Sequence, residues 1–338
     1  PDVARSLNNL AFLYRAQGQN APALFISRRA SAIYRQRIIA GGAGDAAVQE
    51  ASRNRNGFLI HLSLLATNPG KEAADKVTDE AFQIAQLEQA SGTASAIAKM
   101  AARFAGGSDA MAGLIKRKQD ASERRIKAEA QLVSASGKPP KNRNAADEQR
   151  LRDDIAGTGK EIDTIDTELT RRFPEYQELT RPEPVSIAQV QKLLQPGEAM
   201  VVYTLGGKDF GYLWVVKPEG ADFLPLKVDV KDVAAKVARV RSEMDIDSSG
   251  RAVRVSVGAL HDLYQRLFAP AVPQLAGVRH VMVVPAGSLQ SLPFSLLVAS
   301  APPEIKRDAD YRQVDWLAKR YAFSVLPSVS SIQAFRQF

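Results

Sequence analysis

The hydrophobic period of this chain changes once, at the stretch "FPEYQELTRPEPVS" (173–186), whose three prolines mark a boundary. Before it, apolar residues recur three and four positions apart, the spacing of helices that bury one face. After it, short β-branched and aromatic runs alternate with helical stretches, which points to a sheet with covered faces. The chain therefore reads as a helical front followed by an α/β region. Its 338 residues, 45% of them hydrophobic, allow two or three domains and a sizeable core.

The front opens with "ARSLNNLAFLYRAQGQNAPALFISRRASAIYRQRI". Leu7, Leu10, Ala11, Tyr14, Ala23, Ala30 and Ile33 fall at helical spacing on two arms broken at Gly18. Small alanines let the arms approach closely. Residues 41–110 read as further helices, "FLIHLSLLAT", "KEAADKVTDEAFQIAQLEQ" and "TASAIAKMAARFA". His61 lies on the apolar face of the first and is expected to be a hydrogen-bonded core residue. Residues 111–172 form a long antiparallel hairpin whose return arm carries a coiled-coil seam of Leu151, Ile155, Ile162, Ile165 and Leu169. The tip "SASGKPPKNRN" is a loop.

Beyond the boundary, "AMVVYTLGGKDFGYLWVVK" reads as two strands joined near Gly206-Gly207 and "ADFLPLKV" as a third. One helix follows over 229–244 and a second over "VSVGALHDLYQRLFAPAV". An interior strand covers 281–284, and "YAFSVLPS" is another strand, entering a last helix.

Charge bears on partners. The net charge is +8, which invites nucleic acid. The most basic block, 111–144 at +6, is followed by an acidic one, 145–170 at −5, and antiparallel arms would neutralise each other. Nucleic acid is thereby disfavoured. Arg5, Arg15, Arg28, Arg29, Arg35 and Arg37 have no such neighbouring block, only Asp2. They are the candidate protein-binding residues, because guanidinium groups pair bidentately with carboxylates.

Chemistry is sparse. There are no cysteines, so thiolate metal sites and disulfides are excluded, and His61, His261 and His280 are too scattered for a metal site. No cofactor is implied. Ser288, Ser291 and Ser295 follow the 281–284 strand, but none has the flanking glycines of a nucleophile elbow, and no histidine has an evident carboxylate partner. No stretch is apolar enough to span a membrane. The chain starts at Pro1 inside a helical pattern, so earlier repeats and any targeting signal are expected upstream, and the cytoplasm is the compartment favoured.

Taken together, the opening hairpin resembles a tetratricopeptide repeat (TPR). "FPEYQELTRPEPVSIAQVQKLLQPGEAMVVYTL", "LHDLYQRLFAP", "HVMVVPAGSLQSLPFSLL", "WLAKRYAFSVLPSVSSIQAFR" and "DEAFQIAQLEQASGTASAIAKMAARFA" resemble a bacterial TPR–CHAT protein of the caspase- and separase-like cysteine peptidases. The resemblance runs from Leu7 to Phe338. It implies a terminal TPR-like repeat (1–40), its helical continuation (41–110), the hairpin (111–172) and the first half of a caspase-like α/β sheet domain (173–338). It also implies a regulatory, partner-binding front portion of a peptidase whose His–Cys dyad lies beyond Phe338, so no catalytic residue falls in this segment. The family often has an acidic residue where Ala286 stands. The alternative from another class is a non-catalytic TPR/CHAT adaptor that binds a partner protein through its repeats.

Overall fold

The computed structural model describes residues 2–40, 45–67, 70–89, 109–173, 183–207, 210–244 and 254–337. The expected helix "TASAIAKMAARFA" and most of the proline-rich boundary lie outside the described residues. The chain divides into two compact units, one of residues 1–32, 54–89 and 184–338, the other of 33–53 and 90–183.

In the first unit, α1 (Asp2–Ala16) and the start of α2 (Asn20–Ala40) form the expected hairpin, and Gly18 takes φ +75° between them. The left-handed turn there suits glycine. α4 (Arg55–Thr67) and α5 (Ala74–Glu88) follow. α4 buries residues around much of its circumference, His61 among them, as a helix apolar on most sides must. Gly57 of α4 is where α1 comes closest, since a β-carbon there would meet the side chain of Asn8.

The sheet has the order β3-β2-β1-β4-β5. β1 (Glu198–Gly207), β2 (Phe210–Lys217) and β3 (Gly220–Leu226) are an antiparallel meander, whereas β4 (His280–Val284) and β5 (Ala322–Val325) run parallel to β1. Pro225 is tolerated because β3 is an edge strand. Alternation places Ala199, Val201, Tyr203, Val281 and Val283 on one face. There they pack with α9 (Val230–Met244) and α10 (Val257–Leu263) in the main core. Tyr203 is fully buried and donates its hydroxyl to the Leu267 carbonyl at 3.1 Å. The opposite face of β2 carries Trp214, whose ring meets Phe82 of α5 edge-on at 6.3 Å. α8 (Ile187–Leu193), started by a Ser186–Gln189 capping box, and α11 (Ser331–Gln337) complete the unit.

One sequence expectation needs correcting here. "VSVGALHDLYQRLFAPAV" is not one helix: α10 ends at Leu263, a π turn covers Tyr264–Phe268, and a 3₁₀ segment runs over Ala269–Leu275. Pro270 and Pro273 lack the amide hydrogens that a continuing α-helix would use.

The second unit holds the rest of α2, α3 (Asp45–Arg53), and the hairpin of α6 (Asp109–Ser136) and α7 (Ala145–Arg172). The Asn144 side chain caps α7 by accepting from the backbone N–H of Ala146 and Asp147. Asp147 and Glu148 in the first turn, with Arg171 and Arg172 in the last, complement the helix dipole. Leu151, Ile162, Ile165 and Leu169 are buried along one seam and Ile155 is half-buried. Facing them on α6 are Met111, Leu114, Ala121 and Ala128. Lys118 and Arg124 reach Asp166 and Glu161 across the seam.

Candidate functional site

The six candidate arginines are divided between the two units. Arg5, Arg15, Arg28 and Arg29 lie in the first, Arg35 and Arg37 in the second. Their expected lack of acidic neighbours does not hold for the set. Arg28 is bound by Glu72 and Glu80 from the α4–α5 region, 44 and 52 residues on, and Arg37 donates to Glu50 at 2.6 Å. Sequence proximity missed these carboxylates because helix packing, not chain order, brings them in. Arg5 pairs with Asp2 in an exposed contact, which contributes little. Arg35 is half-buried, and Arg15 and Arg29 are exposed. Phe12 and Phe25 are 56% and 62% exposed on the same two helices. Arg5 and Phe12, seven apart, share a face of α1, and Phe25 and Arg29, four apart, share one on α2.

Behind Arg28 lies a buried polar network. His61 is held by Ser31 at Nδ1 (2.9 Å) and by Glu80 at Nε2 (3.1 Å). An ionised Glu80 only accepts, which fixes the proton on Nε2 and lets the Ser31 hydroxyl donate to Nδ1. Burial pushes the Glu80 carboxyl up, but the hydrogen bonds from His61 and Arg28 outweigh it and hold the group at about 2. His61 is thus the satisfied core histidine expected. His261 is equally structural, with Nδ1 2.9 Å from the Val298 carbonyl oxygen.

α5 carries most of the polar contacts that tie these helices to the sheet. Gln86 donates to the Val185 carbonyl (2.7 Å) and accepts from its N–H (2.8 Å), while Asp79 accepts from the Ile187 N–H at 2.7 Å. Gln89 donates to Thr204 Oγ1 at 2.8 Å. Arg55 joins Glu88 at 2.6 Å and donates to the Leu205 carbonyl at the end of β1. Glu88 is almost wholly buried, and its second oxygen has no partner among the described residues. Burial raises its pKa and Arg55 offsets that only in part.

The sheet supplies a constellation that sequence reasoning missed. Glu198, His280 and Ser324 stand on neighbouring parallel strands. His280 Nδ1 is 3.3 Å from Glu198 Oε1, and His280 Nε2 is 2.9 Å from Ser324 Oγ. Glu198 Oε2 accepts from the Gln195 N–H at 2.8 Å and from Arg336. Burial raises Glu198, but these donors together bring its pKa below the usual value. By contrast, Ser288, Ser291 and Ser295 hydrogen-bond no histidine among the described residues. The Ser288 hydroxyl, in the turn after β4, is buried with no partner among the described residues.

Residues 257–337 match the family model described as "CHAT domain". The match runs from the start of α10 through β4 and β5 to the end of α11. No curated protein matches the chain. The family likeness expected from Leu7 to Phe338, as the N-terminal and central part of a TPR–CHAT protein, is corrected accordingly. The match lies at the C-terminal end of the chain, within the region read as the first half of a caspase-like domain, and does not extend over the span from Leu7. A mostly helical region precedes an α/β region that contains this match.

The peptidase reading falls as well. A His–Cys dyad needs a thiolate, and none of the 338 residues is a cysteine. The expectation of a regulatory front for a cysteine peptidase is not sustained. Among the described residues no helix is long and apolar enough to cross a membrane.

Proposed function

We propose that this chain is a protein-interaction adaptor, with CHAT-related sequence serving as scaffold and no thiol peptidase chemistry of its own. The observation that carries the reading is the exposure of Phe12 and Phe25 beside Arg15 and Arg29 on α1 and α2. An aromatic side chain offers apolar contact area at small entropic cost, and an arginine adds bidentate recognition of carboxylates. The partner is accordingly a protein segment that combines acidic and apolar residues. α1 and α2 are read as a terminal TPR-like repeat (1–40), 41–110 as its helical continuation, 111–172 as a hairpin module, and 173–338 as the CHAT-related sheet region. A cytoplasmic setting belongs to the same proposal. Within the candidate arginine set, Arg5, Arg15 and Arg29 make the contact. Arg28 instead braces α2 against Glu72 and Glu80, and Arg35 and Arg37 lie in the second unit.

The test compares capture of host proteins by the wild-type chain, by Arg15→Glu/Arg29→Glu, and by Lys116→Glu/Arg117→Glu, beside binding of labelled duplex and single-stranded probes. The first double variant is expected to lose protein capture and the second to keep it. Loss confined to the second variant, with nucleic acid as the bound species and a steep salt dependence, would overturn the reading.

A further inference from the structure

We propose that Glu198, His280 and Ser324 form an activated-serine relay, and that Ser324 is a covalent modification site for activated acyl donors of the ester or thioester class. The arrangement follows from strand register. Glu198 lies opposite His280 across the β1–β4 pair, and His280 lies opposite Ala322 across the β4–β5 pair. Side chains two apart on a strand share a face, so Ser324 stands on the face that carries Glu198 and His280, one step along. The imidazole spans that step.

The order of contacts is that of a working relay. Glu198, an acceptor only when ionised, accepts a hydrogen bond from His280 Nδ1–H and so leaves the Nε2 lone pair for the Ser324 hydroxyl. Arg336 and the Gln195 N–H fix the second carboxylate oxygen, which keeps the acid charged and aimed. A histidine used only to fill space would not need its supporting carboxylate anchored in this way. The site is also reachable: the His280 side chain is 30% exposed and Ser324 is half-buried.

The chemistry balances without a redox partner. Ser324 Oγ bonds to the acyl carbon as its proton passes to His280 Nε2. The bond from that carbon to the leaving oxygen or sulfur then breaks, and the leaving group takes the proton from Nε2. An ester on Ser324 remains. Glu198 stays ionised throughout and stabilises the imidazolium.

The probe is a fluorophosphonate, which reacts at activated serines by losing fluoride. The folded full chain is incubated with it, and the adduct is located by peptide mass mapping. Labelling is expected at Ser324, absent in Ser324→Ala and unchanged in Ser288→Ala. His280→Gln, checked for folding by circular dichroism, should slow labelling by about 100-fold or more, whereas a histidine with a purely structural role would leave the rate of the folded variant unchanged. No adduct at Ser324, or equal labelling of folded His280→Gln, would each overturn the proposal.

Discussion

Arg28 and Glu80 meet through two points, Nε to Oε1 at 2.9 Å and Nη2 to Oε2 at 2.7 Å, across 52 residues of sequence. The contact joins α2 to α5, with His61 of α4 completing it from the third side. Glu80 therefore serves three helices at once.

The first prediction concerns acid. The Glu80 carboxyl is held at about 2, below its ordinary 4.5. A carboxyl lowered in the folded state adds stability that is complete above the unfolded value and disappears as pH falls through the folded one. The loss should fall between pH 4.5 and about 2. Its size should be about 2 kcal/mol once solvent screening of this partly exposed group is allowed for. Arg28→Ala should shallow the acid limb of a stability-against-pH curve. An unchanged limb in that variant would show that the pair does not set it.

A second prediction tests α5 as the strut. Gln86 satisfies both backbone groups of the buried Val185, where the chain enters the sheet region. Gln86→Leu keeps the size and leaves both unpaired, at a cost of about 1–3 kcal/mol. Lys76→Gln, at an exposed position of the same helix, should cost less than about 0.5 kcal/mol. Urea denaturation midpoints of the two variants decide between them.

How far these features could be read from the sequence depends on whether their cause is local. The α7 seam was legible because Leu151, Ile155, Ile162, Ile165 and Leu169 keep the spacing that one helix face imposes. Its partner face was not, because Lys118 and Arg125 interrupt the apolar positions of α6, where they are half-buried and paired with Asp166 and Glu129. The strands announced themselves through β-branched runs. Their register did not, so Glu198, His280 and Ser324 looked unrelated until pairing aligned positions 82 and 44 residues apart. Arg28 illustrates the same point in helices. It looked unopposed along the chain and is opposed in space.

A third prediction addresses that seam. Ile162 is buried in it, and Ile162→Asp places an unpaired charge there at a cost of about 3 kcal/mol or more. Asp163 is exposed on the same helix, and Asp163→Asn should shift stability by less than about 0.5 kcal/mol. Equal melting temperatures for the two variants would mean that the seam is misassigned.

The last prediction turns on Glu88, whose sign is opposite to that of Glu80. Burial raises its pKa above 4.5, and the single contact with Arg55 does not restore it. In the folded chain the group thus takes up its proton at higher pH than in the unfolded chain. Its contribution is complete below 4.5 and is lost as pH rises through the folded value. The charged form is the costly one, because its second oxygen is buried with no donor among the described residues. Glu88→Gln removes that charge while keeping the shape and an oxygen for Arg55, which also retains its bond to the Leu205 carbonyl. At neutral pH the variant should be as stable as the wild type or more so, by up to about 1 kcal/mol. At a lower pH the difference should shrink, because more of the wild-type group is then protonated. Melting temperatures of both chains at the two pH values measure this difference directly, and the Glu80 contribution, which changes only below 4.5, cancels from it. A variant less stable at neutral pH, with the deficit closing toward acid, would show instead that the Arg55–Glu88 ion pair is a net stabiliser of the joint between α4, α5 and β1.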